Sequence, residues 1–417
     1  MVLCYIDPNK SMINWIFYMK HMEKRGYSEM KKLLIIVIEG CSLEYISLER
    51  TPNIYRIAKN GFCKCVKAAV PTIYNVNHAS ILTGKFPCEH RITGSVLINP
   101  EQRTGDLNPR EELRKSQYHF IESQTVFDFM RNKGASTALL SARSEVGESL
   151  GRNVDFGICL ENTKDILVRF LDMQAPPQPG SLEAATWILE ACYKLIKKNT
   201  IDMIYCTTND YMMRNFAPDT PEATLQMKKI DDWLGKIYDL DPDREIYITG
   251  GFGINGKPHL INLQKKLRSK GFNAMCKTPH YDQPSKKGAV IEIGMQFLFL
   301  NQEPAGSSSG ASNSEEERLI KFLEAEPYID MISPRAEAMK RYNLPEDMIG
   351  DYVVFAAEGY TFADFEGEEL ELDGFRSNGS LHERAIPLIA VNADDAPEKF
   401  RYSRDIVKLI MERSAVD

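Results

Sequence analysis

The sequence has no apolar run long enough to cross a membrane; its best candidate, Leu33 to Ile38, is strand-sized. It has no excess of positive charge either. Its 51 lysines and arginines stand against 58 aspartates and glutamates, a formal net charge of −7. That balance argues against nucleic acid and anionic membrane surfaces as partners. There is no C-x-x-C pair. The nine cysteines are scattered and odd in number, and the C-x-C at Cys63 and Cys65 has no partner pair with which to hold a metal. No signal-peptide pattern opens the chain, so reduced thiols and a cytoplasmic location are expected.

What is present is an ordinary globular composition over 417 residues, enough for one large α/β domain with an insertion or for two domains. Residues 1–29, with the short apolar patch Trp15 to Tyr18, do not read as the start of a domain and are expected to be an extension. Strand signals recur at Leu33 to Ile38, Thr137 to Leu140, Asp202 to Cys206 and Ile246 to Thr249. They alternate with helix signals at Ile54 to Lys59, Thr125 to Lys133, Leu182 to Lys197 and Glu222 to Tyr238. The alternation predicts an α/β fold over 30–417, with a mostly parallel central sheet and helices on both faces. A smaller inserted cap is expected at roughly 258–350. Leu260, Leu263 and Leu267 after Pro258 predict a helix there, and the Gly/Ser-rich, then acidic run within 302–318 predicts a flexible loop. The polar, turn-rich stretch 99–117 predicts a surface loop.

One stretch organises the rest: Glu245 to Lys257, EIYITGGFGINGK, a buried strand cut off by glycine. In open α/β sheets the carboxyl end of such a strand is where ligands are held. Gly251, Gly253 and Gly256 spell G-x-G-x-x-G, but no second strand ending in an acidic residue follows at the distance a dinucleotide site requires. Glycines serving a tight turn are the simpler reading.

Several blocks, in order, resemble the alkaline phosphatase superfamily, in particular phosphonoacetate hydrolases and nucleotide pyrophosphatase/phosphodiesterases. They are Thr51-Pro52-Asn53 to Gly61, Pro71 to Gly94, Thr207 to Ala223, Thr249 to Lys257, Leu344 to Tyr352, and Arg376 to Glu383. The resemblance implies a site for two zinc or other divalent ions and a threonine nucleophile at a helix N-terminus. This chain departs from that pattern at its centre. Tyr74 stands at the nucleophile position, Arg214 and Asn378 at two histidine positions, and Gly251 and Phe252 where the family has Asp-His. Glu39 replaces an aspartate, lengthening the side chain by about 1.5 Å, and only Asp210 is kept. Surrounding residues persist: Asn75, Asn77, Ser80, His90, Gly253, Asn255 and Lys257.

These substitutions predict lost metal sites. Arginine four residues after Asp210 predicts an ion pair, since a guanidinium repels a dication. Glu39 is expected to hydrogen-bond its own turn. Tyr74 would need strong local positive charge to act as a nucleophile, and its ring is expected to fill the space instead. His382, four positions after Asn378, is expected to be a surface or hydrogen-bonded histidine. The expected protein is therefore a pseudo-hydrolase without a cofactor, binding a small anionic ligand or a partner through Arg214, Lys257 and the asparagines Asn75, Asn77, Asn255 and Asn378. Two alternatives stay open. One is a hydrolase of phosphonates, phosphodiesters or related esters with repurposed residues, Tyr74 or His382 with Arg214. The other is a metal-dependent hydrolase with ligands elsewhere in the chain. Assembly as a homo-oligomer is compatible with either.

Overall fold

The computed structural model describes residues 31–95, 121, 123–300 and 309–413. The expected extension 1–29 and loop 99–117 lie outside the described residues.

Strand β1 (Leu33–Ile38) reads LLIIVI and is buried on both faces, as the centre of a parallel sheet requires. The next strands are β2 (Gly61–Lys67), β3 (Thr137–Ser141), β4 (Phe156–Cys159), β5 (Met203–Thr207) and β6 (Glu245–Gly250). After β6 come β7 (Asn255–Gly256), β8 (His259–Ile261), β9 (Ala274–Lys277), β10 (Tyr281–Lys286), β11 (Ala289–Glu292) and β12 (Met295–Leu300). The remainder are β13 (Ile329–Pro334), β14 (Tyr352–Ala356), β15 (Tyr360–Asp364), β16 (Glu369–Glu371), β17 (Arg376–Ser377) and β18 (Ala385–Val391).

The central sheet has seven strands in the order β2-β18-β6-β1-β5-β3-β4. From β6 to β4 all neighbours are parallel, while β18 runs antiparallel to β6 and β2. Two groups of helices flank it. Pro52–Lys59, Leu182–Lys198 and Pro221–Leu240 pack together, as do Tyr74–Thr83, Val126–Asn132 and Asp405–Arg413. The first group is stitched by Asp231, whose carboxylate accepts the backbone N–H of Asn53 and Ile54 and caps that helix from a neighbouring one.

The chain between β6 and β18 forms three further sheets, β10-β11-β15-β8-β16, β13-β14-β12-β9 and β17-β7. These strands continue past residue 350, the expected end of the cap. Two local expectations are corrected here. Leu260 lies in β8, paired with β15 and β16, and the helix starts only at Leu263 because the Asn262 side chain accepts from Lys265 N and caps it. Within 302–318, Ser309 onward belongs to helix Ser309–Glu324, which buries Leu319 and Leu323 at helical spacing. Composition alone does not reveal that anchoring. Among the described residues no helix is long and apolar enough to cross a membrane, and the eight cysteines form no disulfide.

Candidate functional site

Four adjacent parallel strands, in the order β6-β1-β5-β3, end side by side. Just past their carboxyl ends lie Gly251, Glu39, Asp210 and Arg143, so one sheet edge gathers them.

Asp210 is 3% exposed and sits between two guanidinium groups. Arg214 Nε donates to Oδ2 at 2.6 Å, and Arg143 Nη2 donates to Oδ1. The backbone turn Tyr211–Asn215 supplies the expected i, i+4 pairing with Arg214. Burial alone would raise the Asp210 carboxyl, but Arg143 and Arg214 overcome it and hold the group well below the usual carboxylate range. Arg214 Nη2 also donates to Asn378 Oδ1 at 3.1 Å, while Asn378 Nδ2 donates to Thr72 O at 2.7 Å. The asparagine thus orients the arginine. Arg376 reinforces the frame from below by donating to Met213 O and Ile254 O.

Tyr74 opens helix Tyr74–Thr83, as expected of the nucleophile position. Its ring lies under Arg143, with the guanidinium carbon 5.1 Å from the ring centroid, and meets the edge of His280 at 5.4 Å. Burial, with Glu145 and Asp210 nearby, pushes its phenol well above the ordinary range despite the arginines. Burial thus opposes the phenolate that a tyrosine nucleophile would need.

Glu39 does not bond its own turn. Its Oε1 lies 2.9 Å from His78 Nε2, and His78 Nδ1 lies 2.6 Å from Tyr205 Oη, all three side chains being buried. Glu39 Oε2 is buried beside Gly251, with no hydrogen-bond partner among the described residues. A β-carbon on Gly251 would stand 2.8 Å from Oε1 and 3.0 Å from Oε2. Phe252 is fully buried in the main core.

Other expected binding residues are engaged elsewhere. Lys257 Nζ is fully buried against Glu383 Oε1 at 3.1 Å, Ser380 Oγ and Tyr360 O. Asn255 Nδ2 donates to the same Glu383 at 3.1 Å. Asn77 accepts from Ala69 N and donates to the carbonyls of Pro71 and Ile73, clamping the loop that leads into its own helix. Asn75 Oδ1 accepts only from the neighbouring Val76 N among the described residues. Composition does not distinguish a polar residue that closes a turn from one that holds a ligand. His382 is part-exposed, and its Nε2 lies 3.4 Å from Asp330 Oδ2.

Arg143 escaped the sequence reading. The available signal was its position, two residues past the end of a parallel strand. Arg214 lines a cavity of about 510 Å³ together with Asn215, Lys287 and the segment Glu371 to Phe375, a volume suited to a small ligand.

Do these residues fit a pair of divalent ions? Zinc takes three or four Cys, His, Asp or Glu donors. Among the described residues no group of three or more such side chains is placed to hold a metal. Asp210 is committed to two cations, and Glu39 with His78 offers two donors at most. Among the described residues, the donors gathered at this sheet edge do not fit the two-metal arrangement.

A family model described as type I phosphodiesterase / nucleotide pyrophosphatase matches residues 33–381. An uncharacterized pyrophosphatase/phosphodiesterase of Schizosaccharomyces pombe is 21% identical over 303 residues, 70% of this chain. The match spans about half of that relative, 54% of its length. Among solved structures, phosphonoacetate hydrolase from Sinorhizobium meliloti in complex with phosphonoacetate superposes with a TM-score of 0.74 at 23% identity, covering 92% of this chain and 96% of its own. Human ectonucleotide pyrophosphatase / phosphodiesterase 5 gives 0.58 at 15%, covering 92% and 94%. At these identities the likeness is one of fold.

Proposed function

The chain belongs to the type I phosphodiesterase / nucleotide pyrophosphatase family, and we propose that within it this protein binds a small anionic ligand without metal, as a pseudo-hydrolase with respect to two-metal phosphoryl or phosphonate hydrolysis. One observation carries the reading: Asp210 is clasped by Arg143 and Arg214, and Arg214 faces the open cavity. Two guanidiniums converge on the one carboxylate of Asp210, with Glu145 also close to Arg143. Guanidinium forks suit carboxylate, phosphonate and phosphate groups. The anion would be held by Arg143 and Arg214, with the amide of Asn378 fixing the second of these. Lys257, Asn77 and Asn255 take no part.

The test is thermal unfolding in EDTA with phosphonoacetate or inorganic phosphate. A ligand that binds only the folded state raises Tm with concentration. The expected result is a dose-dependent rise that Arg143→Ala abolishes, with no release of phosphate from phosphonoacetate. Phosphate release that appears on adding Zn²⁺ would defeat the proposal.

A further inference from the structure

Next to Tyr74 lies a pair that the family pattern does not use. Ser95 Oγ and His280 Nδ1 are 2.5 Å apart, with Ser95 partly exposed and His280 4% exposed. The contact is built rather than incidental. Gly94 runs so close to the 279 backbone that a β-carbon there would fall 1.9 Å from Pro279 O, so only glycine lets the two segments approach. On the other side, the Thr278 hydroxyl donates to His280 O at 2.7 Å and accepts from His280 N at 3.3 Å, fixing the backbone that carries the imidazole. A reachable hydroxyl against a buried, oriented imidazole is the arrangement of an activated nucleophile and its base. Tyr74 links this pair to the guanidiniums, its ring meeting both His280 and Arg143.

We infer that Ser95 and His280 form a metal-free nucleophile–base pair for carboxylic esters that carry an acidic group, the acid end resting on Arg143 and Arg214. The substrate class rests on the anion-binding reading above. Ser95 Oγ bonds to the ester carbonyl carbon while its proton passes to His280 Nδ1. The carbon–oxygen bond to the alcohol breaks, and the alcohol leaves with that proton. Water then attacks the acyl-serine, gives a proton to His280 and releases the acid, and the proton returns to Ser95. The sum is ester plus water to acid plus alcohol.

The experiment treats the full chain, in EDTA, with a fluorophosphonate probe, maps the adduct by mass spectrometry, and follows hydrolysis of 4-nitrophenyl hydrogen succinate against neutral 4-nitrophenyl butyrate. Phosphonoacetate thermal shifts are recorded on the same samples. The expected result is one adduct on Ser95, absent in Ser95→Ala. In His280→Gln, labelling is slowed about a hundredfold. The succinate ester is favoured at least about tenfold, and that preference is lost in Arg143→Ala. Both pair variants should keep the wild-type phosphonoacetate shift, which shows that they fold. No adduct at Ser95 in a chain that still responds to phosphonoacetate overturns the pair and leaves anion binding standing. Labelling at Ser95 with no preference for the acidic ester and no phosphonoacetate shift overturns the substrate class and the anion-binding reading together.

Discussion

Glu39 occupies the space that a side chain on Gly251 would need: a β-carbon on Gly251 would lie 2.8 Å from Glu39 Oε1. The two positions, far apart along the chain, are sterically coupled: a side chain on Gly251 would require an exchange of space with the long carboxylate of Glu39. Gly251→Asp is expected to destabilise the fold by about 1–3 kcal/mol through overpacking. Adding Glu39→Asp should recover much of that loss. Urea unfolding of the two variants checks it, and additive losses would contradict the exchange.

Asp210 should matter to stability out of proportion to its size. Removing it by Asp210→Ala leaves Arg143 and Arg214 facing each other with their common partner gone. Losing one member of a buried ion pair costs about 3–5 kcal/mol. The sign with pH follows from its depressed carboxyl. The stabilisation is present above the unfolded value of 3.8 and drains away as pH falls below it. Urea midpoints between pH 7 and pH 3 should therefore fall more steeply for the wild type than for Asp210→Asn.

His90 provides a second pH signature. It is fully buried, accepts from Ile92 N at Nδ1, and lies 2.9 Å from Ser80 Oγ through Nε2. Burial pushes it from 6.5 down to about 3. The unfolded chain takes up this proton first, so stability is full above 6.5 and declines as pH falls from there toward 3. His90→Gln should flatten that slope. Direct NMR titration of the ring should show no protonation between pH 8 and 4.

Lys257 and Glu383 separate frame from site. Both are buried, 3.1 Å apart, and Glu383 also accepts from Ser380 N at 2.8 Å. The paired variant Lys257→Met/Glu383→Gln is expected to lower Tm yet keep the phosphonoacetate shift. Loss of the shift in a folded variant would restore Lys257 to the ligand site.

Much of the sheet was legible because periodicity and burial agree there: β1 and β6 fall where their apolar runs place them. The Asp210–Arg214 pair was legible because i, i+4 spacing on one turn leaves those side chains little choice of neighbour. Arg143 was not, since nothing in its local sequence announces a partner 67 positions away. Nor was His78, a helix residue whose carboxylate neighbour Glu39 comes from a strand end. Asn77 clamps the loop before its helix, a role visible only once Ala69, Pro71 and Ile73 are folded around it.

The most direct test of a metal-free centre is a zinc-edge anomalous difference map from crystals soaked in ZnCl₂. The expected map is featureless among Glu39, Asp210, Gly251 and Asn378, with Arg143 and Arg214 still on Asp210. Two peaks there, about 4 Å apart as in two-metal sites, with the arginines displaced, would contradict it.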